Sequence, residues 1–194
     1  MRDINKAIAC FRELGFKPNV DNFENRLKMQ KIICLLELMG IDCGFKFSLY
    51  VRGAYSRELT ELLYSKKQIV EGLKTESACA KRTSVEVRTS TNQLSKEEIS
   101  KIEEFRGAMH DMKASLLEIA ATYAFIASTL GLDNKEATIK LKEMKPFYSE
   151  GEIAVGISRA KLLLFKPTEK DLDSLKEEMK PWEAAADEDA RKWA

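Results

Sequence analysis

The stretch FENRLKMQKIICLLELMGIDCGFKFSLYVRGAYSRELTELL, residues 23–63, decides how this chain folds. Its first part predicts a helix from Phe23 to Met39, stopped by Gly40. Asp21 or Asn22 is placed to cap its start by accepting backbone N–H bonds. In the second half of this helix, Ile32 to Met39, apolar residues cover more than one stripe, as in a central core helix. Arg26, Lys28, Gln30 and Lys31 interrupt the pattern in the first half, so that end is expected to approach the surface. Next, Phe45, Phe47, Leu49 and Val51 alternate with Lys46 and Ser48, a period of two that predicts a strand. Arg52-Gly53-Ala54-Tyr55 reads as a turn. Ser56 then caps a helix bearing Leu59, Leu62 and Leu63, with Glu58 in the first turn where the helix dipole favours it.

Outward from this stretch the chain is helical. Ile4, Ile8 and Phe11 recur at helical spacing and predict a first helix from Asp3 to Leu14, closed by Gly15. After a short helix near 68–73, residues up to Gln93 turn to Thr, Ser, Lys and Arg. There Val85 and Val87 alternate with Glu86 and Arg88, and a strand at that point is expected to pair antiparallel with Phe45–Val51. Ser95 and Glu98 form a capping box ahead of apolar residues from Ile99 to Leu130 at steps of three and four, which predicts one long helix bent at Gly107. Capping boxes at Asp133/Glu136 and Ser149/Glu152 open two more helices, ended by Pro146 and Pro167. Thr168 caps a last amphipathic helix with Leu172, Leu175 and Met179.

The fold class is therefore mainly α. Residues 1–167 are expected to form a single compact multi-helix domain with a small two-stranded antiparallel β element, wing-like in arrangement. Residues 168–194 supply a C-terminal amphipathic helix and a charged tail.

The 194 residues are 44% hydrophobic and 32% charged, the balance of a soluble helical protein. A net charge of +1 hides an asymmetry. Residues 26–88 hold 12 Lys/Arg against 7 Asp/Glu, whereas residues 168–194 hold 5 against 9. Cys10, Cys34, Cys43 and Cys79 form no Cys-x-x-Cys pair, and the single His110 leaves too few partners for an ordinary zinc site. No run approaches a membrane span and no signal-peptide core opens the chain, so a reduced, cytoplasmic protein is expected.

No catalytic, cofactor-binding or metal-binding constellation emerges. The glutamate pairs fall on helix starts and solvent faces, and neither Gly53 nor Gly151 belongs to a phosphate loop. His110 beside Asp111 has no nucleophile at a recognisable spacing, which leaves it as a helix histidine. The heptad-like stripe from Ile99 to Leu130 suits either packing within the subunit or a homodimer seam. The constellation that remains is Arg52, Gly53, Tyr55 and Ser56: glycine lets the backbone turn or approach closely, and serine caps the helix behind it. Arg52 and Tyr55 would project from that corner, unless Tyr55 is core and Arg52 pairs with Glu58 or Glu61.

These residues carry a resemblance. RLKMQKIICLLELMGIDCGFKFSLYVRGAYSRELTELL resembles the front half of the YwgA-like proteins, whose pattern runs R-L-K-L-Q-K, a hydrophobic helix, a phenylalanine-rich strand and Y-x-x-G-P-Y-S. LLEIAATYAF (116–125) and LKEMKPFYSEGEIAVGIS (141–158) continue it, the latter similar to the family's lysine-proline segment. The resemblance spans about Phe23 to Leu164 and departs at Ala54, where the family has proline, which loosens the corner. At a greater distance the chain is similar to Panacea (SocA-like) antitoxin domains. The resemblance implies a non-enzymatic role, neutralising a toxin or delivering a partner by direct binding.

The expectation is thus a protein-interaction or regulatory module, antitoxin-like or adaptor-like, that meets another protein through Arg52, Gly53, Tyr55 and Ser56 together with Arg26, Lys28 and Lys31. The alternative is nucleic-acid binding, with Arg26, Lys28, Lys31 and Arg52 on phosphates and the strand pair as a wing.

Overall fold

The computed structural model describes residues 3–72, 94–111 and 113–164. Among them run α1 (Ile4–Glu13), α2 (Phe23–Leu38), β1 (Ser48–Tyr50), β2 (Gly53–Tyr55), α3 (Arg57–Ser65), α4 (Lys67–Glu71), α5 (Lys96–Ala108), α6 (Ala114–Thr129), α7 (Asn134–Met144) and α8 (Glu150–Leu164). The described residues are mainly helical and belong to one compact unit ending at Leu164.

Helix starts follow local chemistry. The side chains of Asp3, Asn22 and Ser56 accept backbone N–H bonds at the starts of α1, α2 and α3. Full capping boxes open α5 at Ser95/Glu98 and α7 at Asp133/Glu136. Ser149 and Glu152 satisfy each other ahead of α8.

α6 is the central element. Every residue from Leu116 to Ile126 is buried, and α2, α7, α8 and β2 pack around it. A helix apolar on all sides has no solvent face to offer. α8 comes so near that a Cβ on Gly156 would lie 2.4 Å from the Ile119 side chain. α2 packs on α6 and is buried from Met29 to Leu36, a turn earlier than the expected Ile32 to Met39; Leu38 and Met39 are partly buried.

Four expectations are corrected. The helix expected from Ile99 to Leu130 is two helices, separated at 109–113. α5 is one-sided, burying Ile102 and Phe105, whereas α6 is buried all round, and one straight rod cannot present both kinds of surface to this core. Arg159 of α8 donates to the Ala108 carbonyl and so caps the end of α5. His110 lies in this break, exposed, its Nδ1 3.3 Å from the Arg159 guanidinium. Ile102, Phe105, Met109, Ile119, Tyr123 and Ile126 face the subunit's own core.

The second correction concerns the sheet. β1 pairs with β2 as a hairpin, Ser48 opposite Tyr55, Leu49 opposite Ala54 and Tyr50 opposite Gly53. The turn is Val51-Arg52, and Gly53-Ala54-Tyr55, expected as turn, is strand. Val85 and Val87 lie outside the described residues, as does the helix expected after Thr168. Third, Gln30 and Lys31 are buried to 4% and 1% exposure, so the start of α2 does not carry them to the surface. Fourth, Arg52 pairs with Glu118, its guanidinium 3.8 Å from Glu118 Oε2, and Glu61 is bonded to Arg57.

Cys10, Cys34 and Cys43 are free and buried, and burial pushes the Cys34 thiol up to about 12. No helix among the described residues is long and apolar enough to cross a membrane.

Candidate docking groove

The hairpin is held from beneath by charged and polar side chains of two helices and a turn. In a two-residue hairpin closed by Tyr50 and Gly53, backbone groups of Arg52, Ala54 and Ser56 point away from β1. α2 supplies partners for all three. Lys31 Nζ donates to the carbonyls of Arg52 (2.5 Å) and Ala54 (2.6 Å). Gln30 Oε1 accepts the Ser56 N–H while its Nε2 donates to the Ser56 carbonyl, both at 2.9 Å. Two adjacent helical side chains thus stand in for a neighbouring strand.

The turn is fastened from the other side. Lys145, fully buried just after α7, donates to the Val51 carbonyl at 3.1 Å and to Glu118 Oε1 at 2.5 Å. Glu118, on α6, is also fully buried. A buried ion pair holds its place only when further hydrogen bonds complete it, and the hairpin backbone supplies one. Tyr148 lies beside this pair, its hydroxyl raised to about 12 by burial and then by the Glu118 charge. Lys31 is lowered to about 8 by burial, against the opposing pull of Glu118.

Gly53 is required twice. Its φ is +76°, which side-chain-bearing residues rarely adopt, and a Cβ there would lie 1.9 Å from Thr122 Oγ1. Thr122 cannot turn aside without giving up its 2.6 Å bond to the Glu118 carbonyl.

Between the upper face of this hairpin and helices α2 and α3 runs a groove of about 990 Å³. Aromatic rings stand along it: Phe23, Tyr50 and Tyr64 are exposed, and Tyr55 packs against Tyr50 with ring centroids 5.7 Å apart. Phe23 sits between two guanidinium groups, Arg26 at 5.7 Å and Arg52 at 5.2 Å from its centroid. Arg26 also lies 5.8 Å from the Tyr64 ring and is held by bonds to the carbonyls of Val20 and Asp21. Lys46 and Arg57 complete a basic lining in which, among the described residues, Glu58 is the one carboxylate.

The residues singled out in the sequence divide into two groups. Arg26, Arg52 and Tyr55 meet at the groove with side chains available to a ligand. Lys31 also borders it, but its ammonium group is bound to the hairpin carbonyls. Gly53 and Ser56 are buried and position the hairpin and α3. Lys28 pairs with Glu24 at 2.8 Å and is not part of the lining.

Sequence reasoning missed Phe23, Tyr64, Glu118 and Lys145. Phe23 counted only as an apolar helix position. Lys145 stands in the lysine-proline segment quoted above, and that was the available signal. Glu118 carried one too: it is the single charge in an otherwise apolar run, 116–126.

Comparison with family models, with curated proteins and with solved structures returns no match to this chain.

Proposed function

We propose that this protein is a non-enzymatic interaction or regulatory module, antitoxin-like or adaptor-like, whose groove docks a partner protein. One observation carries the reading: an exposed aromatic ring, Phe23, is clasped by Arg26 and Arg52 at the rim of a groove whose wall is a cross-braced hairpin. Aromatic and arginine side chains presented from rigid backbone supply most of the energy at protein interfaces, because little freedom is lost when they are covered. Free buried thiols suit a reducing, cytoplasmic setting, which we include in the proposal.

The test is affinity purification from native cells with wild-type, Phe23→Ala and Arg52→Glu chains. Phe23 is 55% exposed, so its truncation is expected to leave the thermal melt unchanged while the partner is lost. Arg52→Glu should remove the partner as well. A partner retained by both variants would sink the reading.

Nucleic-acid binding is the second reading, favoured by the basic lining and by rings on which bases can stack. It is weaker because Lys31, Lys28 and Arg26 are already engaged, and Arg52 lies 3.8 Å from Glu118. It requires binding that falls steeply with salt. Absent or salt-independent binding of DNA and RNA removes it.

A further inference from the structure

The two edges of the hairpin are treated differently. The outer edge of β2 is closed by Lys31 and Gln30. Among the described residues the outer edge of β1 is open: its register turns the N–H and carbonyl of Leu49, and of Phe47 two residues back, away from β2. No described residue hydrogen-bonds to those groups. An exposed row of unpaired backbone groups is a template for another strand.

We propose that β1 accepts an extended, acidic segment of a partner protein as a third strand. This deepens the docking function proposed above and rests on it. Strand addition draws affinity from main-chain bonds and specificity from alternate side chains. On the added strand, residues opposite Ser48 and Tyr50 stand on the hairpin face that carries Lys46, with Arg52 at the turn. Acidic side chains fit there. Residues opposite Leu49 and Phe47 share the face that packs toward the core, where aliphatic side chains fit. The ligand pattern is therefore acidic and aliphatic in strict alternation, and in the antiparallel pairing proposed the aliphatic residues make the backbone bonds to β1.

A second copy of this chain fits poorly. Pairing two β1 strands about Leu49 sets Lys46 of one copy against Arg52 of the other and brings two basic faces together. Like charges opposite one another destabilise a sheet.

The experiment uses the full chain and an acetylated, amidated peptide of alternating glutamate and valine, followed by fluorescence anisotropy and residue-resolved amide exchange. The amides of Leu49 and Phe47 are expected to exchange rapidly in the free protein and to slow when peptide is added. N-methylating the valines should weaken binding roughly tenfold or more, since each methyl removes a main-chain donor. N-methylating the glutamates instead should leave binding unchanged, and replacing them with lysine should abolish it. The proposal is overturned if Leu49 is already protected in the free protein, if both N-methylated peptides bind alike, or if the chain self-associates with protection at Leu49. If a Phe23-dependent partner binds without slowing exchange at Leu49, strand addition fails while the docking function stands. If no partner depends on Phe23, both fail.

Discussion

Gln30 pairs with the backbone of Ser56 as a neighbouring strand would, accepting from its N–H and donating to its carbonyl at 2.9 Å each. The same Nε2 also reaches Thr60 Oγ1 at 2.8 Å. The two bonds to Ser56 are buried and the one to Thr60 is partly so; removing the amide leaves the Ser56 N–H where water cannot reach it and takes one of the donors from its carbonyl. Gln30→Leu is expected to destabilise by about 3 kcal/mol, at ~1–3 kcal/mol for each buried group left unsatisfied. Gln30→Glu keeps the acceptor but opposes a carboxylate to the Ser56 carbonyl. Its denaturant midpoint should lie below wild type at neutral pH and recover toward acid. A neutral effect of Gln30→Leu would show that the hairpin edge is not braced by this side chain.

Gly53→Ala combines an unfavourable φ with a collision against Thr122. The expected loss is at least ~2 kcal/mol, of which backbone strain supplies ~1–2. Thr122→Ala in the same chain removes the nearest atom, Oγ1, and should restore part of the loss but not all. Additive effects of the two substitutions in equilibrium unfolding would contradict the close approach.

Lys145→Met takes the close partner from the buried Glu118 carboxylate, leaving it the Arg52 guanidinium at 3.8 Å, and frees the Val51 carbonyl. Breaking a buried pair in this way costs about 3–5 kcal/mol. Lys145→Met with Glu118→Leu should cost less than Lys145→Met alone, because the uncompensated charge is gone. A double variant less stable than the single one would show that the pair is not the source of the penalty.

Glu37 is raised to about 7, chiefly by burial, against the lowering effect of the bond it accepts from the Phe45 N–H at 2.8 Å. In the unfolded chain it titrates near 4.5. The folded state thus holds the proton more tightly. The resulting stability is present in full below 4.5 and is lost as pH rises through 7. Relative to Glu37→Gln, whose neutral side chain keeps an acceptor for Phe45, wild type should melt lower at about pH 8 and converge with it toward about pH 5. A constant offset between the two melting curves across that range would contradict the shifted titration.

The legible parts of the fold are those whose cause is local. Asn22, Ser56, Ser95 and Asp133 cap helices through amides within a few residues, so their roles can be read from spacing. The break between α5 and α6 was not legible, because the apolar steps continue unbroken from Ile102 to Ile126. What ends α5 is the requirement that α6 enter the core on all sides, together with Arg159 at the Ala108 carbonyl, 51 residues away in sequence. The groove was legible in part. Arg52 and Tyr55 could be placed at a corner, but Phe23 and Tyr64 join them only because α2 and α3 flank the hairpin.

By itself the sequence determined most of the helices, with α5 and α6 run together, the caps at Asn22, Ser56, Ser95 and Asp133, and the presence of a bend near Gly53. Each follows from apolar period or from a hydrogen bond between close neighbours. Only the tertiary structure decided what the polar residues do. Lys31 and Gln30 have the composition of a surface patch, yet they lie buried at 1% and 4% exposure because the edge of β2 needs donors and an acceptor there. Lys145 is buried because Glu118 and the Val51 carbonyl need its charge. A side chain's polarity is local, but whether it faces water or an unpaired backbone group depends on what the rest of the chain brings to it.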